Sequence, residues 1–185
     1  MTQTRVRLWN IDEYHRMFET GIIAAYERVE LIEGQVIPMS AKNPPHAATT
    51  LCASDYLKRL LVEVALVRVQ DPIRLSQYSE PEPDIAVVHI NPRKYIDHHP
   101  APNEVFTLIE VADTTLETDR KQKAPLYAKA GIIEYWILDV NQRQVYVFRE
   151  PGLEVYNQEF ILKENATLSL IAFPEIEVQI SQMFP

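Results

Sequence analysis

The spacing of hydrophobic positions changes several times along the chain, and these changes predict a mixture of helices and strands. After Asn10, apolar residues recur at helical spacing, and Asn is a residue type that caps helix N-termini. The pattern predicts a helix that begins at Asn10 and ends near Gly21. In the segment 27–40, β-type residues lie on both sides of Glu33 and Gly34, which predicts a β-hairpin.

The middle of the chain is predicted to combine one long helix with three strands. Prolines followed by helix-forming residues predict a helix over residues 45–64. Apolar and polar residues alternate in "LVRVQDPIRL", which begins at Leu66, and this alternation predicts a half-buried strand. The runs "DIAVVHI" (84–90) and "VFTLIEVA" (105–112) are apolar and rich in β-type residues, so we expect them to be central strands.

The C-terminal part is predicted to contain one further helix and several strands. The segment "LETDRKQKAPLYAKAG" predicts a helix closed by Gly131, with a kink or a late start at Pro125. The segments "EYWILDV" and "QVYVFRE" predict a strand pair, and "GLEVYN", "TLSL" and "IEVQI" predict shorter strands. Helices mixed with a largely central sheet indicate the α/β (or α+β) class.

Size and composition favour one globular domain. The 185 residues, 46% of them hydrophobic, are expected to fold as a single domain spanning residues 1–185. The one cysteine, Cys52, excludes an intramolecular disulfide framework and a cysteine zinc cage. We expect no membrane segment and a cytoplasmic location, because no long apolar stretch is present and the N-terminus lacks the apolar core of a signal peptide.

The charge balance narrows the class of function. With 26 acidic residues against 18 Lys and Arg, the formal net charge is −8. This charge counts against a protein that coats nucleic acid through a broad basic face. It leaves open an enzyme that handles a polyanion through a metal ion and a local basic patch.

Two acids lie at the end of, or within, predicted apolar strands. Burial of an unpaired carboxylate at such a position is costly. Asp84 precedes one predicted central strand, and Glu110 lies within the next. On neighbouring strands the two would share one sheet edge and supply the hard oxygen ligands that Mg²⁺ prefers. Two alternatives stay open: Asp84 as a turn or cap residue beside Pro83, and Glu110 in a salt bridge with a nearby Lys or Arg.

A basic residue near such a site would stabilise the charge of a transition state. The predicted helix after Glu110 carries four basic residues, Arg120, Lys121, Lys123 and Lys129. Lys123 and Tyr127 are four residues apart and therefore share a helix face. A solvated face is the expected role of Lys121 and Lys129, and it remains an alternative for Lys123.

The histidines are not expected to form a transition-metal site. Adjacent His98 and His99 on a predicted loop point in different directions, and no His/Cys cluster supports them. His46 is expected to be a polar residue of the first turn of the long helix and not a ligand.

The ordered motifs of the chain resemble the Uma-two family, a restriction-endonuclease-like group of the PD-(D/E)XK nuclease superfamily. The motifs are "VELIEGQVIPMS", "EPDIAVV" and "LIEVADTTLETDRKQKAPLYAKAGIIEYWILD", and the resemblance extends from Leu8 to Phe184. It implies a restriction-endonuclease-like fold with a central mixed sheet, flanking helices and appended C-terminal strands.

The resemblance also assigns roles to residues. It places the family's "PD" on Pro83 and Asp84 and its second acid on Glu110. The superfamily's lysine is expected at position 112, where Ala112 stands. A "D…K…Y" pattern one helix later matches Asp119, Lys123 and Tyr127, which makes Lys123 the migrated lysine.

Two further positions match less specifically. Glu30 corresponds to an additional acidic position that would complete the surroundings of the metal, although an ordinary strand acid is an equal alternative. Gln70 resembles a polar strand residue found near such sites, and an ordinary half-exposed strand residue is at least as good an explanation.

The implied function is a Mg²⁺-dependent endonuclease, with Mn²⁺ as a substitute, that acts on nucleic acid, DNA being favoured. Asp84, Glu110 and Glu30 would bind the metal, and Lys123 would position the attacking water or the scissile phosphate. The metal-activated water would attack phosphorus in line and leave a 5′-phosphate. The alternative is a non-catalytic, nuclease-like binding or regulatory module, which the acidic charge and Ala112 favour.

A homodimer is also expected, because an enzyme that cuts two strands can use two copies. The segment "QVYVFRE", as a candidate edge strand, and the tail "IEVQISQMFP" could pair or pack with a second copy.

Overall fold

A six-stranded mixed sheet forms the centre of the protein, and the computed structural model describes residues 6–185. The strand order is β3-β4-β5-β6-β7-β8. The helices are α1 (Ile11–Glu19), α2 (Pro44–Leu60), α3 (Leu116–Thr118) and α4 (Ala124–Lys129). The strands are β1 (Val29–Ile32), β2 (Gln35–Pro38), β3 (Leu66–Val69), β4 (Ile85–Val88), β5 (Val105–Ala112), β6 (Glu134–Asp139), β7 (Gln144–Pro151), β8 (Tyr156–Lys163), β9 (Thr167–Ser169) and β10 (Glu177–Gln179). The predicted α/β class with a central mixed sheet is confirmed.

One parallel pair interrupts an otherwise antiparallel sheet. β5 and β6 run parallel, and every other neighbouring pair in this sheet is antiparallel. A parallel pair needs a crossover connection, and α3 and α4 provide it. The chain therefore passes from the C-terminal end of β5 directly into the helical segment that carries the predicted lysine.

Each face of the sheet is covered by its own apolar layer. On one face, α2 and the C-terminal segment pack against side chains of β4 to β7, with Leu57, Trp136 and Phe184 among the buried residues. On the opposite face, α4 packs through Leu126 and Tyr127. Because both faces are covered, the central strands are apolar in nearly every position.

The N-terminal helix and hairpin match their predictions. The side chain of Asn10 accepts the N–H of Glu13, and Glu13 bonds back to the N–H of Asn10, which forms a capping box. The hairpin of β1 and β2 turns at Glu33 and Gly34, both with positive φ. Glycine is required at position 34, because a Cβ there would lie 2.6 Å from the Cβ of Leu8.

The long helix α2 is shorter than predicted. It ends at Leu60 with Leu61 as its C-cap, four residues before the expected end at Val64. Leu61 and Ala65 are buried against the sheet, so the chain must turn between them to begin β3. This tertiary requirement overrides the helical spacing of residues 61–64.

Pro125 produces a local change of helix type. The residues Asp119–Lys123 form a π-helical segment between α3 and α4, and the N–H of Ala124 donates to the carbonyl of Asp119. Pro125 has no N–H to donate to a residue one turn earlier, and its ring crowds that turn. The predicted kink is therefore a wider turn, a form that recurs at functional sites. Gly131, with φ +80°, ends the helix as predicted.

Two predictions about the C-terminal half are wrong. The strand assigned to "GLEVYN" begins only at Tyr156 and continues to Lys163, because the N–H of Gly152 bonds the carbonyl of Val155 and closes a turn. The segment "QVYVFRE" is not an edge strand, since β7 lies between β6 and β8.

The C-terminal tail packs against the rest of the same chain. Val178, Ile180 and Met183 are buried in the layer that contains α2. Both segments predicted as dimer surfaces therefore pack against other parts of the same chain. The homodimer stays a prediction, but these segments no longer support it. None of the helices within residues 6–185 is long and apolar enough to cross a bilayer.

Candidate active site

Asp84 and Glu110 face each other across two antiparallel strands. The register pairs Ile85 with Ile109, so the residue before β4 stands opposite the residue after Ile109. Both carboxylates are buried, with 7% and 3% of the residue surface exposed. The N–H of Asp84 lies 3.4 Å from Oε2 of Glu110, and the N–H of Val111 donates to Oδ2 of Asp84 at 2.9 Å.

Polar side chains from α2 and the end of β3 surround Asp84. Nε2 of His46 lies 3.0 Å from Oδ2 of Asp84. Nε2 of Gln70 donates to Oδ1 at 3.2 Å, and Gln70 adopts φ +54°, which is uncommon for a residue with a side chain. Burial acts to raise the pKa of Asp84, but the His46 contact and the Val111 N–H outweigh it and lower the pKa below its usual range.

Glu110 receives two donors from the helix that follows it. Nζ of Lys123 and the hydroxyl of Tyr127 each donate to Oε1 at 2.8 Å. Burial and the negative charges of Asp84 and Asp119 nevertheless raise the pKa of Glu110 to about 8, against the opposing effect of Lys123. Glu110 therefore binds a proton at a higher pH than an ordinary glutamate does.

Lys123 lies among acids from different parts of the chain. Its Nζ is 3.9 Å from Oε1 of Glu30, in addition to its bond with Glu110. Burial lowers the pKa of Lys123, but Glu110, Glu30 and Asp119 outweigh it and raise the pKa. Glu30 is held in place because its Oε2 accepts the N–H of Glu82 at 3.2 Å.

These carboxylates line a small cavity. Its volume is about 120 Å³, and its walls include Glu30, Asp84, Glu110, Asp119 and Lys123. Water molecules or a phosphate group would fit in a space of this size. The linker between β2 and α2 forms one wall, and residues 113–119 form the other.

The donor set fits a hydrated hard cation. Two ionised carboxylates on adjacent strands would repel one another, and within residues 6–185 the one hydrogen-bond partner of Oε2 of Glu110 is the N–H of Asp84, at 3.4 Å. Mg²⁺ commonly uses one or two carboxylates and completes its octahedron with water and substrate oxygens. Within residues 6–185, no three His, Cys, Asp or Glu side chains are already arranged as a metal cage. The fit is therefore to a cation held mainly by Asp84 and Glu110.

A first prediction concerns Glu110 and the stability of the metal-free protein. The unfolded carboxyl group titrates near its ordinary value of 4.5, whereas the folded one holds its proton to about pH 8. Folding takes up a proton between these values, so this group stabilises the fold at low pH and loses that contribution as the pH rises to about 8. We expect Glu110→Gln to lack this decline of up to about 1.4 kcal/mol per pH unit.

Urea denaturation in EDTA at several pH values between about 5 and 8 measures this difference. The difference in the free energy of unfolding between Glu110→Gln and the wild type should shift in favour of the variant as the pH rises. The exposed Glu177 provides the control, because Glu177→Gln should follow the wild-type curve. Parallel curves for Glu110→Gln and the wild type would contradict the prediction.

The structure places all four predicted site residues around one cavity: Glu30, Asp84, Glu110 and Lys123. Gln70 also contacts the site, through Asp84. The expectation that His46 is only a first-turn residue missed its contact with Asp84. A signal was present, because His46 falls on the same helical stripe as the buried Thr50, Ala53 and Leu57.

His98 and His99 lie in the segment that connects β4 to β5. His98 lies near Glu104 at 3.4 Å, and the neighbouring Asp97 bonds Arg93. No group of metal-ligating side chains forms there within the described part of the chain.

Comparisons with known proteins agree with this architecture. A family model described as "Putative restriction endonuclease", Uma2, matches residues 11–181. One similar solved structure is that of a "putative nuclease belonging to DUF820" from Anabaena variabilis ATCC 29413, with a TM-score of 0.68 and 16% sequence identity. The alignment covers 95% of this chain and 97% of that chain, which shows a shared fold. A search of curated proteins finds no match.

Proposed function

Because this chain belongs to the Uma2 family of putative restriction endonucleases, we propose that it is a metal-dependent nuclease that hydrolyses phosphodiester bonds of nucleic acid. The observation that carries the proposal is the pairing of buried Asp84 and Glu110 beside Lys123 in one cavity. Two buried acids that lie close together are costly, and such pairs recur at sites that bind cations or move protons.

Asp84 and Glu110 would hold a Mg²⁺ or Mn²⁺ ion, with DNA as the favoured substrate. When bound, such an ion supplies a Lewis acid and lowers the pKa of coordinated water. Asp84 is suited to this role, because the contacts with His46 and Val111 keep it ionised. Glu110 would give up its proton when it becomes a ligand.

The other side chains orient these two acids. Tyr127 is fully buried and holds Oε1 of Glu110, which leaves Oε2 facing Asp84. Together with Glu110, the side chains of Glu30 and Asp119 place negative charge around Lys123. This charge keeps the ammonium of Lys123 protonated inside the cavity. The prediction that Glu30 also binds the metal rests on the family resemblance and remains part of the proposal.

A second prediction tests this proposal through Lys123. In an assay on single- and double-stranded DNA and RNA with Mg²⁺, Mn²⁺ or EDTA, we expect wild-type cleavage only with metal. Lys123→Met should lower the rate by about 10²-fold, a cost typical of removing one donor from a preorganised site, because Glu110 loses the ammonium bonded to it at 2.8 Å. The matched control is Lys121→Met, since Lys121 is 74% exposed and pairs with Glu117 on the surface.

Equal rates for the Lys123→Met protein and the wild type would remove Lys123 from the mechanism. Absence of cleavage on every substrate, with any of the metals, would contradict the nuclease function.

A non-catalytic module is the second candidate function, and one contact favours it. The ammonium of Lys123 lies 2.8 Å from Oε1 of Glu110, in the kind of position beside this carboxyl group that a bound cation would take. A calorimetric titration with Mn²⁺ separates the two functions. Binding that is lost in Asp84→Asn supports the enzyme, whereas no binding by the wild type supports the module.

A further inference from the structure

A second lysine, Lys42, lines the cavity together with Lys123. It belongs to the linker between β2 and α2, and this linker forms one wall of the cavity. Its side chain is 20% exposed. The charges of Asp84 and Glu110 act on it, so Lys42 is within electrostatic reach of the carboxylate pair.

Lys42 is poorly paired for a half-buried cation. Its Nζ lies 3.8 Å from Oε1 of Glu82, which is too long for a hydrogen bond. The same oxygen accepts Nη2 of Arg28 at 2.8 Å and is therefore already engaged. Burial, followed by the charge of Arg28, lowers the pKa of Lys42.

The carboxylate of Glu82, which lines the cavity, shows that this part of the wall can stabilise a negative charge. Its carboxylate lies between the cationic groups of Arg28 and Lys42, with 23% of its side chain exposed. A phosphate oxygen carries the same charge type and would offer Lys42 the hydrogen bond that Glu82 does not complete. Lys123 differs, because its ammonium is already bonded to Glu110 at 2.8 Å.

We propose that Lys42 is the residue that binds a non-bridging phosphate oxygen of the nucleic-acid substrate, whereas Lys123 mainly holds Glu110. This inference rests on the proposed nuclease function and changes the assignment of phosphate binding within it. Lys42 lies in the linker between β2 and α2, whereas Asp84 and Glu110 belong to the β4 and β5 region. It can therefore contact the substrate without displacing either proposed metal ligand. It also supplies a local positive charge in a protein with a net charge of −8.

A third prediction follows for binding in the absence of cleavage. The probe is a fluorescein-labelled single-stranded DNA of about 12 nucleotides, in a buffer with Ca²⁺ in place of Mg²⁺. Fluorescence anisotropy gives Kd at several salt concentrations. Lys42→Met should raise Kd about tenfold and lower the slope of log K against log salt by about 0.7, the loss of one phosphate contact on a single strand.

Two variants separate charge from other effects. Lys58→Met removes the same charge from the last turn of α2, away from the cavity, and should leave Kd and the slope unchanged. Lys42→Arg keeps the charge and should restore most of the binding. Thermal melting of each variant shows whether the linker and the fold are retained.

The possible results have distinct meanings. If Lys42→Met and Lys58→Met bind alike while the wild type binds and cleaves, the role of Lys42 is overturned and the nuclease function stands. If Lys42→Arg binds as weakly as Lys42→Met, the loss comes from packing and the phosphate contact is overturned. If the wild type neither binds nor cleaves, the nuclease function fails, and the Lys42 proposal fails with it.

Discussion

Replacement of Asp84 by asparagine is expected to abolish metal-dependent cleavage, with a loss on the order of 10³-fold or more. The amide keeps the size of the side chain and its contact with the N–H of Val111, but it removes the negative charge that would hold the cation. A metal ion stabilises transition-state charge by several kcal/mol, and about 1.4 kcal/mol corresponds to a factor of ten in rate. Initial rates with Mg²⁺ on the best substrate measure the effect.

A buried aspartate elsewhere on the same sheet provides the control. Asp139 is 3% exposed at the end of β6 and bonds Gln142 and Gln144. Asp139→Asn should leave the rate per folded molecule unchanged, because this carboxylate is outside the cavity. Cleavage by Asp84→Asn at the wild-type rate would remove Asp84 from the active site. Retained Mn²⁺ binding in this variant would likewise contradict its role as a ligand.

Glu134→Ala is expected to destabilise the fold by about 3–5 kcal/mol. Glu134 is fully buried, and its Oε1 accepts Nε and Nη2 of Arg149 and Nε1 of Trp136. Its Oε2 accepts the N–H of Ile171, which ties the C-terminal segment to β6. Alanine would leave Nε of Arg149 and the indole N–H of Trp136 without their acceptor in a water-poor environment.

Urea denaturation of wild type and variant gives the difference in the free energy of unfolding. The matched control is the exposed ion pair Arg93–Asp97, with side chains 67% and 57% exposed. Asp97→Ala should cost less than about 1 kcal/mol, because solvent screens exposed pairs. If Glu134→Ala also cost less than about 1 kcal/mol, the buried contacts of Glu134 with Arg149 and Trp136 would contribute little to stability.

Most elements of the fold are visible in the sequence where local signals and tertiary packing agree. The cap at Asn10, the turn at Gly34 and the helix end at Gly131 each have a local physical cause, and each is found as predicted. Prediction failed where packing overrides local spacing, at the end of α2 and at the start of β8. The position of β7 inside the sheet was also missed, since strand order depends on pairing partners.

The candidate site shows the same division. Asp84 and Glu110 could be singled out because an acid in an apolar strand conflicts with its local environment. Lys123 followed from the family pattern and from its helical spacing to Tyr127, and both side chains do bond the same oxygen of Glu110. Their assignment as metal ligands and catalytic residues stays a prediction until the variants are measured.

The sequence by itself determined the fold class, the family and the acids around which a site can form. Only the tertiary structure decided which residues from distant segments join those acids. His46 and Lys42 approach the cavity from α2 and from the linker before it, and Glu30 approaches from the hairpin. A residue's spacing along the chain reports its helix or strand face, whereas contacts between segments depend on how those elements pack, and that packing is set by the whole core.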